Sequence, residues 1–263
     1  MARQKSQPTA RKAQGTGDPS QPPGTLFIVG TPIGFPDDLT IRARTILKQA
    51  FVVAAETPLA TQALLAHHGI STTITSYGPG QYEEKIAVLL HHLKEGHDVA
   101  LVSDSGMPVI YDPGRLLIAA AQQAGLPVSV IPGPSAVTAA VALSGYSGDR
   151  IVFDGRLPRT RRPLDIFFAK LKKEIGTAVM FASPDSIQTI LKSLARVLPD
   201  RAVTLAVNMT TAGEKIYRGC GRALLKQVGS IPSHSEVTVV LSGVQETKSG
   251  KGREDRRPPS CAG

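Results

Sequence analysis

The sequence predicts a two-domain α/β protein, with an N-terminal parallel sheet carrying helices on both faces and a C-terminal mixed sheet with helices. Three observations carry that expectation. Short apolar runs of strand length alternate with stretches whose apolar residues recur at helical spacing, the βαβ signature of a parallel sheet. Glycine and proline close most of these runs, as they do where a chain turns. After Gly148 the final apolar runs crowd together, which suggests a mixed sheet.

Leu26–Val29, ended by Gly30, reads as the first strand. A helix follows Asp38, with Leu39, Ala43, Ile46, Leu47 and Ala50 on one face. Phe51–Ala55 is the next strand. Thr57 then caps a helix with Pro58 at its first position, where a missing N–H is harmless, and Gly69 just past its end. Tyr82–Glu95 is helical, with Ile86, Leu89, Leu90 and Leu93 inward and Gly96 closing it. Val99–Ser103 is a strand. Asp112-Pro113 opens a helix closed by Gly125, with Asp112 as its N-cap. Val128–Ile131 is a strand and Ser135–Leu143 a helix of small residues.

In the second half Thr177–Phe181 and Ala202–Val207 are strands flanking a helix that begins at Ser183-Pro184. Lys215–Arg218 is a strand, Ala223–Val228 a helix and Glu236–Leu241 the last strand. The expected domains are residues 24–147 and 148–244, divided near Gly145–Arg150.

Residues 1–23 and 245–263, rich in Gln, Ser, Pro, Gly and charge, read as disordered tails. The chain has no apolar run of about 18 residues, and its basic N-terminus has no apolar core. Neither a transmembrane helix nor a secretory signal is therefore expected, and the location expected is the cytoplasm. Cys220 and Cys261, 41 residues apart, offer neither a disulfide framework nor a zinc site. The pairs His67-His68 and His91-His92 lie near helix ends, where neighbouring side chains point apart, so no metal site is expected.

The formal net charge is +9, of which the N-terminal tail holds +3 and the C-terminal tail +2. Much of the remaining excess sits in Arg156, Arg159, Arg161 and Arg162. Basic tails and a local arginine cluster favour a polyanionic partner, with RNA foremost.

Ligands of an open parallel sheet bind beyond the carboxyl ends of its strands. Three loops there are unusual: Gly30–Gly34, Ser103–Pro108 running on to Gly114, and Pro132–Ser135. Glycine admits a ligand close to the backbone, proline holds a loop in one shape, and the helix start after Pro134 offers N–H groups to an anion. Together they suit a nucleotide-like ligand with an anionic end. The P-loop pattern, a G-x-G-x-x-G after the first strand and a G-x-S-x-G elbow are all absent.

The runs Val29–Gly34, Ala100–Pro108 with Asp112–Gly114, and Ile131–Val137 resemble the tetrapyrrole methylase superfamily. Within it they look most like the ribosomal RNA small subunit methyltransferase I family. Ala55-Glu56, Phe153–Gly155 with Leu157–Arg159, Ser183-Pro184 and Tyr217–Gly219 extend the likeness in order, across about Leu26 to Gly243. The sequence departs from that family at Thr57–Leu59, Ala182–Ser186 and Val207–Thr211, and at Met107 and Val109.

The resemblance implies a two-domain tetrapyrrole-methylase-like fold, S-adenosylmethionine as cofactor, a homodimer, and 2′-O-methylation of a cytidine ribose in 16S ribosomal RNA. It implies that Gly106, Met107, Pro108, Ile110, Tyr111, Ser135 and Ala136 line the cofactor, with Phe181 and Ala182 approaching from the second domain. A ribose hydroxyl benefits from a general base, and Asp104 and Glu56 are the loop carboxylates with access; each could instead brace a loop or cap a helix. Arg156, Arg159, Arg161 and Arg162 are the candidate RNA contacts, because arginine pairs with phosphate bidentately. Two other readings stay open: a small-molecule methyltransferase acting on a tetrapyrrole-type substrate, and a binding module without turnover.

Overall fold

The structure is a computed structural model and describes residues 22–78 and 82–244. Apart from Pro22 and Pro23, the two expected tails, and Cys261 with them, lie outside these residues.

Five strands, β1 (Leu26–Val29), β2 (Val52–Ala55), β3 (Ile74–Ser76), β4 (Val99–Val102) and β5 (Val128–Ile131), form one sheet in the order β3-β2-β4-β1-β5. Every pairing is parallel. A sheet covered on both faces needs unbroken apolar strands, and β2 and β4 are buried at every position. Helices α1 (Ile41–Gln49) and α2 (Pro58–His67) cover one face through Ala43, Leu47 and Leu65. Helices α3 (Tyr82–Lys94) and α4 (Arg115–Gln123) cover the other through Leu89, Leu93, Leu117 and Ala121. Because β4 inserts between β1 and β2, the loops that follow β4, β1 and β5 stand side by side at one edge.

After α5 (Ala136–Ser144), the strands β6 (Ile151–Arg156), β7 (Thr177–Ala182), β8 (Val203–Val207), β9 (Lys215–Gly219) and β10 (Val237–Leu241) form the second sheet, in the order β6-β7-β10-β8-β9. β6 and β7 are parallel and the other pairs antiparallel. Helices α6 (Arg161–Lys170), α7 (Ile187–Val197) and α8 (Gly221–Gln227) bury Leu164, Phe168, Ile190, Leu194 and Leu224 against one face. The opposite face is covered from the first half of the chain. Ala140 and Val141 of α5 pack with Val179, Ala206 and Val240. The helix that leaves the third glycine-proline loop thus docks one sheet on the other.

Several elements differ from expectation. The helix expected after Asp38 begins after Thr40, whose hydroxyl accepts from Ala43 N at 3.1 Å, while Pro36–Asp38 forms a separate 3-10 turn. Asp112 is not the N-cap of α4: Gly114 stands there with φ of 136°. Ser183-Pro184 opens a 3-10 turn before α7 begins. Strands β3 and β6 and helix α6 were not expected at all. β3 is three residues long at a sheet edge, and β6 is broken by a register shift between Phe153 and Arg156. α6 does carry a readable signal, Leu164, Phe167, Phe168 and Leu171 at helical spacing. Among the described residues no helix is long and apolar enough to cross a membrane.

Candidate active site

The three glycine-proline loops are bonded to one another. Thr31 N donates to Gly106 O at 2.8 Å, and the Thr31 hydroxyl reaches the carbonyls of Ser103 and Gly106, both at 3.2 Å. Gly30 N donates to Ile131 O at 3.1 Å. Gly30 and Gly133 meet backbone to backbone: a Cβ on Gly30 would lie 2.8 Å from Gly133 Cα, and one on Gly133 2.8 Å from Gly30 O. No side chain fits between them.

Above these loops lies a cavity of about 310 Å³, shared by the two halves. Ile33, Gly106, Met107, Ser135, Ala136 and Val137 form the wall on the first sheet's side; Arg156, Phe181, Met209, Glu236 and Thr238 form the other. Ser135 is the N-cap of α5 and makes no side-chain capping bond, so the open N–H groups at that helix start belong to the cavity wall. Tyr111 reaches across from the loop after β4, with φ of 69°. Its ring stands edge-on to Phe181 at 6.2 Å between centroids, and the Arg156 guanidinium lies 5.5 Å above it. The loop after β1 also crosses over, Phe35 N donating to Thr210 Oγ1 at 3.0 Å.

Three carboxylates share one side of the cavity: Glu56, Asp104 and Asp112. Both oxygens of Asp104 are engaged, Oδ1 by Thr57 N at 3.0 Å and Oδ2 by the Thr57 hydroxyl at 2.7 Å. Asp104 N points to Glu56 Oε2 at 3.5 Å. Burial, and then the charge of Asp104, raise the Glu56 pKa above the ordinary carboxylate value. Asp112 is pushed up to about 6, first by burial and next by the charge of Glu56, while a hydrogen bond from Ser103 and the Arg156 charge pull the other way.

Of the residues singled out in the sequence, Glu56, Asp104, Gly106, Met107, Ile110, Tyr111, Ser135, Ala136, Arg156 and Phe181 come together on this wall. Four do not. Pro108 is buried off the wall. Ala182 follows Phe181 in β7, so it faces the opposite way, into the core beneath α6 and α7. Arg161 and Arg162 open α6, away from the cavity. Arg159 lines a neighbouring one with Arg156.

Asp112, Met209, Glu236 and Thr238 were missed. Glu236 and Thr238 are two residues apart at the start of β10, a shared-face signal that gains meaning only once β10 is known to run antiparallel to β7. The side chains of His67 and His68, expected to point apart, do not. His67 and His68 converge on the 3-10 turn, His67 Nε2 at 2.8 Å from Asp37 Oδ1 and His68 Nε2 at 3.0 Å from Pro36 O. Ligand atoms of Asp37, His67 and His68 lie within 4.8 Å of one another.

The family model for tetrapyrrole (corrin/porphyrin) methylases matches residues 25–224. The chain belongs to the tetrapyrrole methylase family. Among its relatives, a ribosomal RNA small subunit methyltransferase I of Thermotoga maritima is 40% identical over 222 residues, covering 84% of this chain and 99% of the relative. A protein of the same name from Micromonospora olivasterospora is 37% identical, over 88% of this chain and 74% of its own. Two solved structures share the fold at lower identity. Diphthine synthase is 18% identical with a TM-score of 0.66, covering 83% of this chain and 90% of that one. Cobalt precorrin-4 methyltransferase is 21% identical with a TM-score of 0.61, covering 83% and 94%.

As a tetrapyrrole methylase, the chain is an S-adenosylmethionine-dependent methyltransferase. The part matched to the tetrapyrrole methylases contains the whole cavity wall except Glu236 and Thr238.

Proposed function

We propose that the chain transfers a methyl group from S-adenosylmethionine to a ribose 2′-hydroxyl of small-subunit ribosomal RNA. The observation that carries the reading is the cavity itself, with backbone loops and a helix start on one wall, Phe181 and Arg156 on the other, and three carboxylates at its side. The name borne by relatives such as that of Thermotoga maritima supports RNA as the substrate.

The wall suits the cofactor. The start of α5 offers N–H donors and the positive end of a helix dipole to a carboxylate. Met107, Ile110, Tyr111 and Phe181 give apolar surface to an adenosine-sized body, and Gly106 and Ala136 leave the backbone within reach. Glu56, Asp104 and Asp112 place negative charge where a sulfonium cation is favoured. When bound, S-adenosylmethionine supplies a methyl group already activated on sulfur, so orientation and proton removal are what remain for the protein.

Asp112 accepts the hydroxyl proton, since its carboxylate lies on the wall and is not held as Asp104 is. Glu56 is the second carboxylate beside it. Asp104 is a positioning residue that fixes the loop after β4 against α2. Arg156, Arg159, Arg161 and Arg162 lie at the end of β6 and the start of α6, and contact RNA phosphates. The protein works in the cytoplasm and as a homodimer, a second copy covering the exposed Phe35, Ile41 and Leu59.

The experiment is methyl transfer from labelled cofactor to 30S subunits, naked ribosomal RNA and uroporphyrinogen in parallel. Label in 30S subunits supports the reading, label in the tetrapyrrole replaces it with the small-molecule reading, and cofactor binding without transfer leaves a binding module.

A further inference from the structure

Beside the main cavity lies a second one of about 340 Å³, and the two share Arg156 and Glu236. Arg156 ends β6, Ser183 follows β7 and Glu236 precedes β10, so one edge of the second sheet builds both cavities. Arg159 and His234 also line the second one. Ser183 on its wall is only 3% exposed, yet its Oγ has no hydrogen-bond partner. A buried hydroxyl left unpaired is unfavourable, a cost that a ligand accepting from it relieves.

Resting on the RNA reading above, we infer that the second cavity is a phosphodiester subsite, holding the backbone of the RNA next to the ribose that is methylated. Arg156 and Arg159 supply the charge and the forked donors that match phosphate oxygens. The Ser183 hydroxyl donates the remaining bond. Asp185 stands 3.7 Å from Arg159 with both side chains about two-thirds exposed. Such a pair is weak, so it orients the guanidinium without closing the site, and a phosphate replaces it. Glu236, on the seam between the cavities, faces the sugar rather than the phosphate and accepts from a ribose hydroxyl.

The test is steady-state methyl transfer to 30S subunits by wild type, Arg159→Ala, Ser183→Ala and Asp185→Asn. Cofactor affinity and thermal unfolding are measured on each variant. Arg159→Ala raises KM for 30S subunits about tenfold and lowers the slope of log KM against log salt by about 1. Its kcat and cofactor affinity stay near wild type. Ser183→Ala raises KM by about tenfold, the weight of one hydrogen bond to a charged group. The same change raises the melting temperature of the free protein by removing an unpaired buried hydroxyl, whereas a merely structural serine lowers it on substitution. Asp185→Asn lowers KM by freeing Arg159. Wild-type KM and salt slope in the Arg159 and Ser183 variants overturn the subsite and leave the methyltransferase reading standing. Absence of transfer by the wild type overturns both.

Discussion

Thr57 holds both carboxylate oxygens of Asp104, its N–H donating to Oδ1 at 3.0 Å and its hydroxyl to Oδ2 at 2.7 Å. The contact ties the loop after β4 to the start of α2 across two neighbouring strands. A brace and a base leave different kinetic traces. Asp104→Ala lowers thermal stability and cofactor affinity together, with kcat at saturating cofactor changed less than about tenfold. A fall of about 10²–10⁴ in kcat, the usual cost of losing a general base, at unchanged affinity would make Asp104 the proton acceptor instead.

Asp112 carries the pH dependence. Folded, it keeps its proton up to about pH 6, against an ordinary value of 3.8. Between those values the folded state binds the extra proton, so stability falls as pH rises through that window. Asp112→Asn removes the penalty and keeps an acceptor for Ser103. The variant is therefore more stable than wild type above about pH 6 and loses that advantage below the ordinary carboxylate pKa. Denaturant unfolding at both ends of the window reads this difference. In the wild type, kcat climbs with pH to a plateau above about pH 6. In Asp112→Asn the climb disappears and kcat falls about 10²–10⁴-fold. Full kcat in that variant would remove Asp112 from the reaction.

The close approach of Gly30 and Gly133 gives a packing prediction. A methyl group on Gly133 meets the Gly30 carbonyl at 2.8 Å, so Gly133→Ala forces two cofactor loops apart. Overpacking of this kind costs about 1–3 kcal/mol, and cofactor affinity measured by calorimetry falls with it. Gly229→Ala, with nothing within 4 Å of the new atom, leaves both unchanged and serves as the control.

Much of the first half was legible because parallel strands buried on both faces leave unbroken apolar runs. Leu26–Val29 and Val128–Ile131 are observed with the bounds that were read. The placement of the loops was not legible, since it depends on β4 inserting between β1 and β2. Asp112 was misread because Asp-Pro resembles a helix cap; Gly114, with φ of 136°, takes the cap and leaves the carboxylate on the cavity wall. Ala182 lies one residue of strand alternation away from the wall that Phe181 lines. Arg156 and Arg159 were picked out by charge, while the cavity they share with Ser183 arises from strands that meet only in the fold.

Arg161 and Arg162 test the wider RNA surface. Arg161, itself exposed, lies 3.9 Å from the partly buried Asp165, one turn along α6, in a loose pair that phosphate can displace. Replacing both arginines with alanine lowers the salt slope of 30S binding by up to about 2 and leaves cofactor affinity untouched. An unchanged slope places the RNA elsewhere on the surface.

In the proposed reaction this cavity methylates a ribose hydroxyl in small-subunit ribosomal RNA. Alkali cleaves RNA through attack by the 2′-hydroxyl, so a 2′-O-methyl group protects the phosphodiester beside it. The direct measurement incubates 30S subunits with the protein and methyl-labelled S-adenosylmethionine, then hydrolyses the extracted RNA in alkali. The label is recovered in an alkali-resistant dinucleotide, and Asp112→Asn, while still binding cofactor, slows its appearance about 10²–10⁴-fold. Label released as mononucleotides, which marks a methylated base, or no label in the RNA at all, would contradict the proposed reaction.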